Sequence, residues 1–113
     1  MESRALGQQG PTVSAIGYRA TGTAVGNGPT EDTESIAAIR RAHELGVTHF
    51  DTAEMYGWGA GEKLLGQALS PSREEVTIAT QFGLAESWAA NSRPEHIREV
   101  VENSLRSLNI DVI

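Results

Sequence analysis

The sequence has no cysteine, few aromatic residues and no excess of basic residues. The lack of cysteine excludes disulfides and thiolate metal sites, and it is compatible with the cytoplasmic location that we expect. Nucleic acid is not expected as a partner, because the net charge is −6 and phosphates require clustered Lys and Arg, which are scattered here. The three histidines are also scattered, so no metal site is expected.

Long apolar runs are missing too. No stretch approaches the ~20 apolar residues that span a bilayer. The first ten residues lack the basic start and the apolar run of a secretory signal. We therefore expect no membrane partner. The 113 residues, 39% of them apolar, suffice for one small domain.

The sequence alternates between strand and helix patterns. A hairpin is predicted at the start, and three strands are then predicted at SAIGYRA, VTHFDTA and EVTIATQF. A helical pattern follows each strand, and the three helices are expected to stop at Gly46, at Ser70 and at Asn109. The segment TGTAVGNGPTED is predicted to be a loop, and the final IDVI is predicted to begin a fourth strand.

Helix starts are predicted from capping residues. Before the first helix, Thr30, Asp32 and Thr33 are all suitable N-caps. Ser92 and Glu95 have the spacing of a capping box before the third helix. The second helix is the weakest of the three, because Gly66 interrupts its apolar face.

Strands that alternate with helices predict parallel pairing and right-handed crossovers. In the third strand the small Thr77 and Ala79 point one way and the branched Val76 and Ile78 the other, which suits a barrel wrapped by helices. A doubly wound sheet gives a similar pattern, but its G-x-G-x-x-G turn is absent. We therefore predict an α/β fold, the N-terminal portion of an incomplete (β/α)8 TIM-type barrel.

Polar side chains are expected to meet at one rim of this barrel. Asp51 and Gln81 come late in their strands and share the inward parity of the small residues, and Tyr56 lies in the next loop. Since chemistry in such barrels is located at the carboxyl ends of the strands, these three residues form the predicted site.

Several segments resemble the aldo-keto reductase family. They are VSAIG, ESIAAIRRAHELG, GVTHFDTAEMYGWGAGEKLLGQAL, EEVTIATQFG and RPEHIREVVENSLRSLNIDVI, which together cover nearly the whole chain. Residues 1–113 are accordingly identified as a partial aldo-keto reductase-like domain. The resemblance implies an oxidoreductase that uses NADPH to reduce small aldehydes or ketones to alcohols.

The resemblance also implies roles for individual residues. Asp51 matches the family's aspartate, Tyr56 its proton donor, and Gln81 occupies the position of its lysine; the family's histidine would follow Ile113. Ala20, Thr21 and Asp51 are the implied cofactor-binding residues. Arg19 stands where the family has a glycine near the nicotinamide, so it either crowds the cofactor or points to solvent.

These departures predict weak catalysis. A free phenol has a pKa of about 10, and a neighbouring cation lowers it. The neutral Gln81 supplies no cation, so Tyr56 is expected to be a slow proton donor, at a cost on the order of 10²–10³ in rate. A complete barrel has roughly 250 residues, and the family holds its cofactor mainly with later strands, so NADPH binding is expected to be weak or absent.

Three hypotheses stay open at this point: an enzyme of this family, a catalytically dead remnant, and a fragment that self-associates through exposed barrel edges. Other polar and aromatic residues have structural expectations. His49 is expected to point inward as a hydrogen-bonded core residue. Glu62 is expected to cap or brace the loop after the second strand, and His96 is expected to face solvent. Trp58 and Trp88 are expected either to line a substrate pocket or to pack on the surface.

Overall fold

The computed structural model describes residues 1–23 and 31–113. Its first element is the predicted hairpin, in which β1 (Ser3–Ala5) pairs antiparallel with β2 (Thr12–Ser14). Residues 24–30 of the predicted loop TGTAVGNGPTED lie outside the described residues. The hairpin joins the rest of the molecule through Ser14 and Thr48, since each backbone N–H donates to the other's hydroxyl oxygen at 2.8 Å.

The three predicted parallel strands are confirmed, although each is short. They are β3 (Tyr18–Arg19), β4 (His49–Asp51) and β5 (Thr77–Ala79), in the order β3-β4-β5. The first is shorter than SAIGYRA suggested, because the Ser14 hydroxyl donates to the Ile16 carbonyl at 2.7 Å and turns the chain before the ladder begins.

Three helices alternate with these strands: α1 (Asp32–Glu44), α2 (Ala60–Leu69) and α3 (Pro94–Leu108), with a 3-10 segment at Ser70–Glu75. Two capping predictions are wrong. The N-cap of α1 is Glu31, which places Asp32 and Thr33 inside the first turn, while Thr30 lies outside the described residues.

The capping box predicted at Ser92 is the second error. The N-cap of α3 is Arg93, and no side-chain cap bond is formed there. Pro94 takes the first helical position, for which its fixed φ is suited, and it requires an extended residue before it. Arg93 has that conformation, with ψ 144°, so Ser92 lies one position too early to cap the helix.

The predicted helix ends are confirmed at Gly46 and Asn109, which have φ of +97° and +55°. The predicted strand at IDVI is wrong: residues 110–113 form no ladder with β5. The cap of α3 explains the start of this segment, because the Ile110 N–H donates to Leu105 at 3.1 Å. Farther on, the Val112 carbonyl accepts from Arg73 at 3.1 Å.

The core lies between the sheet and the helices. Its fully buried large side chains include Phe50 from β4 and, from the helices, Ile39, Leu65, Leu69 and Leu108. Gly66 is needed here rather than merely tolerated, since a Cβ would lie 2.2 Å from the Leu108 carbonyl oxygen. The opposite sheet face is only half-buried, as the predicted parity requires. This is the architecture of an incomplete parallel barrel, and within the described residues no helix has the length and apolarity to cross a membrane.

Candidate active site

Asp51 and Gln81 meet at the rim, as predicted. The Gln81 amide donates to both carboxylate oxygens of Asp51, at 3.0 and 2.9 Å. The backbone sets this geometry, because Thr52 N–H donates to Ala79 and Glu54 N–H to Gln81, so the pairing of the two chains continues beyond the strands. Gln81 therefore contacts the carboxylate directly.

Tyr56 is held by a tight loop that follows β4. Its carbonyl accepts from Gly61 N–H at 2.9 Å, and the Glu54 carbonyl accepts from Gly59 N–H at 3.0 Å. The loop needs three successive left-handed residues at positions 57–59, and glycine occupies the first and third. Tyr56 is thereby buried, with only 3% of the residue exposed.

Arg19 completes the site. Its guanidinium contacts two side chains of the rim, those of Asp51 and Tyr56. It is paired with Asp51 in the β3–β4 ladder, and its Nε lies 3.5 Å from an Asp51 carboxylate oxygen. The same Nε donates to the Tyr56 hydroxyl at 2.8 Å, and its Nη2 donates to that oxygen as well. The guanidinium carbon lies 5.6 Å from the Tyr56 ring centroid.

The expectation that Tyr56 and Asp51 have no cation beside them is therefore wrong. That expectation depends on Gln81 alone, which occupies the family's lysine position. The charge comes instead from a neighbouring strand, through Arg19. A phenol that contacts a guanidinium, itself paired with a carboxylate, is an arrangement suited to donating a proton.

The implied cofactor residues are placed differently from one another. Asp51 is half-exposed on the rim and Thr21 is half-buried in the 3-10 turn Ala20–Thr23, whereas Ala20 is fully buried in the core. A cavity of about 360 Å³ on the inner sheet face is lined by Arg19, Asp51 and His49 among others. That volume is at the low end for small-molecule sites. Asp51 and Thr21 are thus partly accessible to a ligand, whereas the Ala20 side chain is not.

A second group of titratable residues lies beside the Tyr56 loop. Glu54 lines a cavity of about 520 Å³ together with Glu62 and His96. Burial raises the pKa of the Glu54 carboxyl above its ordinary value of 4.5, and the Glu62 charge raises it further. Glu62 is 1% exposed and accepts from the Thr80 hydroxyl at 2.7 Å, so it joins α2 to the residue that follows β5.

The remaining predictions have mixed outcomes. His49 points to the inner face, as its parity predicts, but it is half-exposed and not in the core. The expectation for His96 is wrong, because it is half-buried with its Nε2 enclosed. Trp58 and Trp88 pack edge-to-face at 5.9 Å, and Trp88 stays exposed. Among the residues that the structure describes, no group of His, Asp and Glu could hold a metal ion.

Sequence reasoning singled out Arg19 as a departure from the family but did not connect it with Tyr56. The sequence carries one indication of this contact. Arg19 has the same strand parity as Asp51 if β3 and β4 pair in register. The register Arg19↔Asp51 is a tertiary fact, however, and a strand of two residues carries too little pattern to fix it.

The chain matches known proteins over most of its length. The model of the aldo/keto reductase family matches residues 16–113. A probable aldo-keto reductase 1 from Glycine max is 38% identical over 96% of this chain and 33% of its own length. An L-galactose dehydrogenase from Arabidopsis thaliana is 34% identical over 100% of this chain and 36% of its own length. The chain thus spans about a third of the length of these relatives.

Solved structures agree with the fold. The holo form of the aldo-keto reductase AKR11C1 from Bacillus halodurans has a TM-score of 0.88 and 31% identity, covering 100% of this chain and 38% of its own. An aldo/keto reductase from Klebsiella pneumoniae in complex with NADP and acetate has a TM-score of 0.71 and 28% identity, covering 93% and 35%. With the strand order and rim described above, these matches show that the chain belongs to the aldo/keto reductase family and has part of its barrel fold.

Proposed function

We propose that residues 1–113 form the proton-donating part of an aldo-keto reductase domain that reduces small aldehydes or ketones with NADPH. The observation that carries this proposal is the contact of the Tyr56 hydroxyl with the Arg19 guanidinium, which is itself paired with the Asp51 carboxylate. A bound reduced nicotinamide supplies the hydride in such a reaction. The cytoplasmic location is part of the same proposal.

Tyr56 has the central role among this chain's residues. Its O–H bond breaks, the proton goes to the carbonyl oxygen of the substrate, and the electron pair stays on the phenolic oxygen. Gln81 holds the Asp51 carboxylate in place at the rim, because its amide donates to both carboxylate oxygens at 2.9 and 3.0 Å. Burial of Tyr56 excludes water, so the proton goes to a bound acceptor.

The direct test uses a graft, which we define as the Bacillus halodurans relative with its matching 38% replaced by these 113 residues. We expect the graft to consume NADPH as an aromatic aldehyde disappears. Tyr56→Phe in the graft should lower the rate on the order of 10²–10⁴-fold, since general acid catalysis contributes that much. A folded graft without turnover, or a Tyr56→Phe graft with undiminished turnover, contradicts the proposal.

We further propose that the 113-residue polypeptide by itself does not turn over. Its support is that these 113 residues span only about a third of the length of the relatives, whereas a complete barrel has roughly 250 residues. Mixing it with NADPH should leave the cofactor fluorescence unchanged, and Gln81→Lys alone should not produce activity. Saturable quenching of that fluorescence would overturn this part of the proposal.

Self-association is a second candidate, supported by the edge position of β5 in the sheet that the described residues form and by the half-exposed inner face of that sheet. The exposed Phe82 follows that edge strand. An unpaired edge strand offers free backbone groups to a second copy of the chain. Light scattering should give a mass above that of one 12.1 kDa chain; a clean monomer contradicts this candidate.

A further inference from the structure

Arg19 is placed to act on Tyr56 rather than on solvent. Two of its N–H groups donate to the phenolic oxygen, and its Nε lies 3.5 Å from Asp51. The side chain of Arg19 is nevertheless 61% exposed, so most of it is not needed for packing. The position of its guanidinium is set by its polar contacts with Tyr56 and Asp51.

The contacts of Gln81 support a division of roles. Its amide nitrogen is engaged by both oxygens of Asp51, and the Asp51 carboxylate in turn attracts Arg19. Gln81 thus orients the carboxylate, and the carboxylate orients the guanidinium. A neutral amide suffices at position 81 because the positive charge comes from β3.

The hydrogen-bond inventory of a phenol indicates what Arg19 does. A phenolic oxygen accepts through its lone pairs and donates through one O–H. Arg19 can only donate, so it occupies acceptor sites of the Tyr56 oxygen and leaves the O–H directed elsewhere. A guanidinium keeps its charge at any working pH, and a buried partner is poorly screened by water.

We propose that Arg19 is the positioning residue for Tyr56 and takes the cationic role that the resemblance assigned to a lysine at position 81. When the Tyr56 O–H bond breaks and its proton passes to the carbonyl oxygen, the phenolate left behind is paired with the Arg19 guanidinium. This inference rests on the proposed function, and it changes which strand supplies the charge.

The first experiment measures turnover in the graft. Arg19→Ala should lower kcat on the order of 10²–10³-fold, the usual cost of one preorganised electrostatic group, with much less effect on KM. Arg19→Lys should recover part of that loss. Arg41→Ala, which removes an exposed cation paired with Glu44 on α1, is the matched control and should leave turnover unchanged.

Chemical rescue separates a charge effect from a structural one. Added guanidinium should restore turnover of the Arg19→Ala graft saturably, whereas urea, which has a similar shape and no charge, should not. Restoration by both compounds or by neither overturns the proposal. Turnover of Arg19→Ala equal to or above that of the parent also overturns it, because Arg19 would then merely cover the phenol.

A second experiment needs no turnover and uses the 113-residue polypeptide. Tetranitromethane nitrates phenolates, and peptide masses distinguish Tyr56 from Tyr18, the only other tyrosine. If Arg19 stabilises the Tyr56 anion, Arg19→Ala should slow nitration of Tyr56, and added guanidinium should restore the rate. Faster nitration in Arg19→Ala identifies Arg19 as a cover and contradicts the proposal. An inactive graft would contradict the proposed function, while this experiment would still decide the effect of Arg19.

Discussion

The two faces of the parallel sheet differ in what lies against them. On the outer face, Phe50 and Ile78 are buried against the helices. On the inner face, alternate residues of the same strands, such as Asp51 and Thr77, are half-exposed. Because successive side chains of a strand point to opposite faces, one strand of three residues serves both purposes. Stability is therefore concentrated on the outer face, and the candidate chemistry lies on the inner face and its rim.

The sharpest test of this difference compares the two phenylalanines of the chain. Phe50 is fully buried on the outer face, whereas Phe82, just beyond β5, is 51% exposed. Phe50→Ala should lower the free energy of unfolding by about 3–5 kcal/mol, the range for truncating a buried aromatic residue. Phe82→Ala should cost less than about 1 kcal/mol. Urea denaturation of the two variants measures both values.

The difference between the two regions is measured by the ratio of the losses in unfolding free energy for Phe50→Ala and Phe82→Ala. Equal losses would mean that the segment after β5 is covered as well as the outer face, for example by self-association. Light scattering on the same samples would distinguish that case, since a mass above 12.1 kDa would accompany the loss at Phe82.

Gly66 offers a smaller change within the outer layer. A Cβ there would lie 2.2 Å from the carbonyl oxygen of Leu108 and 2.7 Å from its carbon, both backbone atoms that cannot move alone. Gly66→Ala should therefore separate α2 from the end of α3, at a cost of about 1–3 kcal/mol from overpacking. The better helix propensity of alanine offsets roughly 1 kcal/mol of this.

The matched control for this substitution is Gln67→Ala, at the next residue of α2, which is exposed. It changes helix propensity without approaching α3, so its unfolding free energy should stay within about 0.5 kcal/mol of the parent. A stabilised Gly66→Ala variant would show that the two helices are not held at this distance.

The outer layer was largely predictable from the sequence. Burial of Ile78 follows from strand alternation, and the stop at Gly46 follows from its freedom to take a positive φ. Helix starts were less predictable, because several capping residues competed and Pro94 displaced the expected capping box by one position. Gly66 was read as a weakness, since its contact with α3 is tertiary.

The rim was predictable in its members but not in its charges. Asp51, Tyr56 and Gln81 were identified from parity and from the family resemblance, and Asp51 and Gln81 are in direct contact. The cation beside Tyr56 is not predictable from local pattern, because it is Arg19, which is 37 positions away in the chain. The local alternation of a strand predicts which face of the sheet a side chain lies on. Its neighbours on that face depend on the register between strands, here Arg19↔Asp51.

Substitution of Glu54, in the loop that follows β4, has the smallest expected effect on stability. Burial raises the pKa of its carboxyl, the charges of Glu62, Glu99 and Glu86 raise it further, and His96 acts in the opposite direction. A raised folded-state pKa means that the folded protein holds this proton more tightly than the unfolded chain. The associated stability is fully present below the ordinary pKa of 4.5, and it is lost as the pH rises through the raised value.

Glu54→Gln removes this titration, so the variant should be more stable than the parent at neutral pH, and the difference should shrink as the pH falls toward 4.5. Urea midpoints of both proteins between pH 4 and 8 measure the trend. Glu74→Gln is the control, because it removes the same charge at an exposed position of the 3-10 segment. A trend of equal size in Glu74→Gln would assign the effect to the net charge of −6 rather than to the surroundings of Glu54. A difference that grows toward low pH would mean that the Glu54 carboxylate is stabilised by its neighbours, opposite to what its burial beside Glu62 predicts.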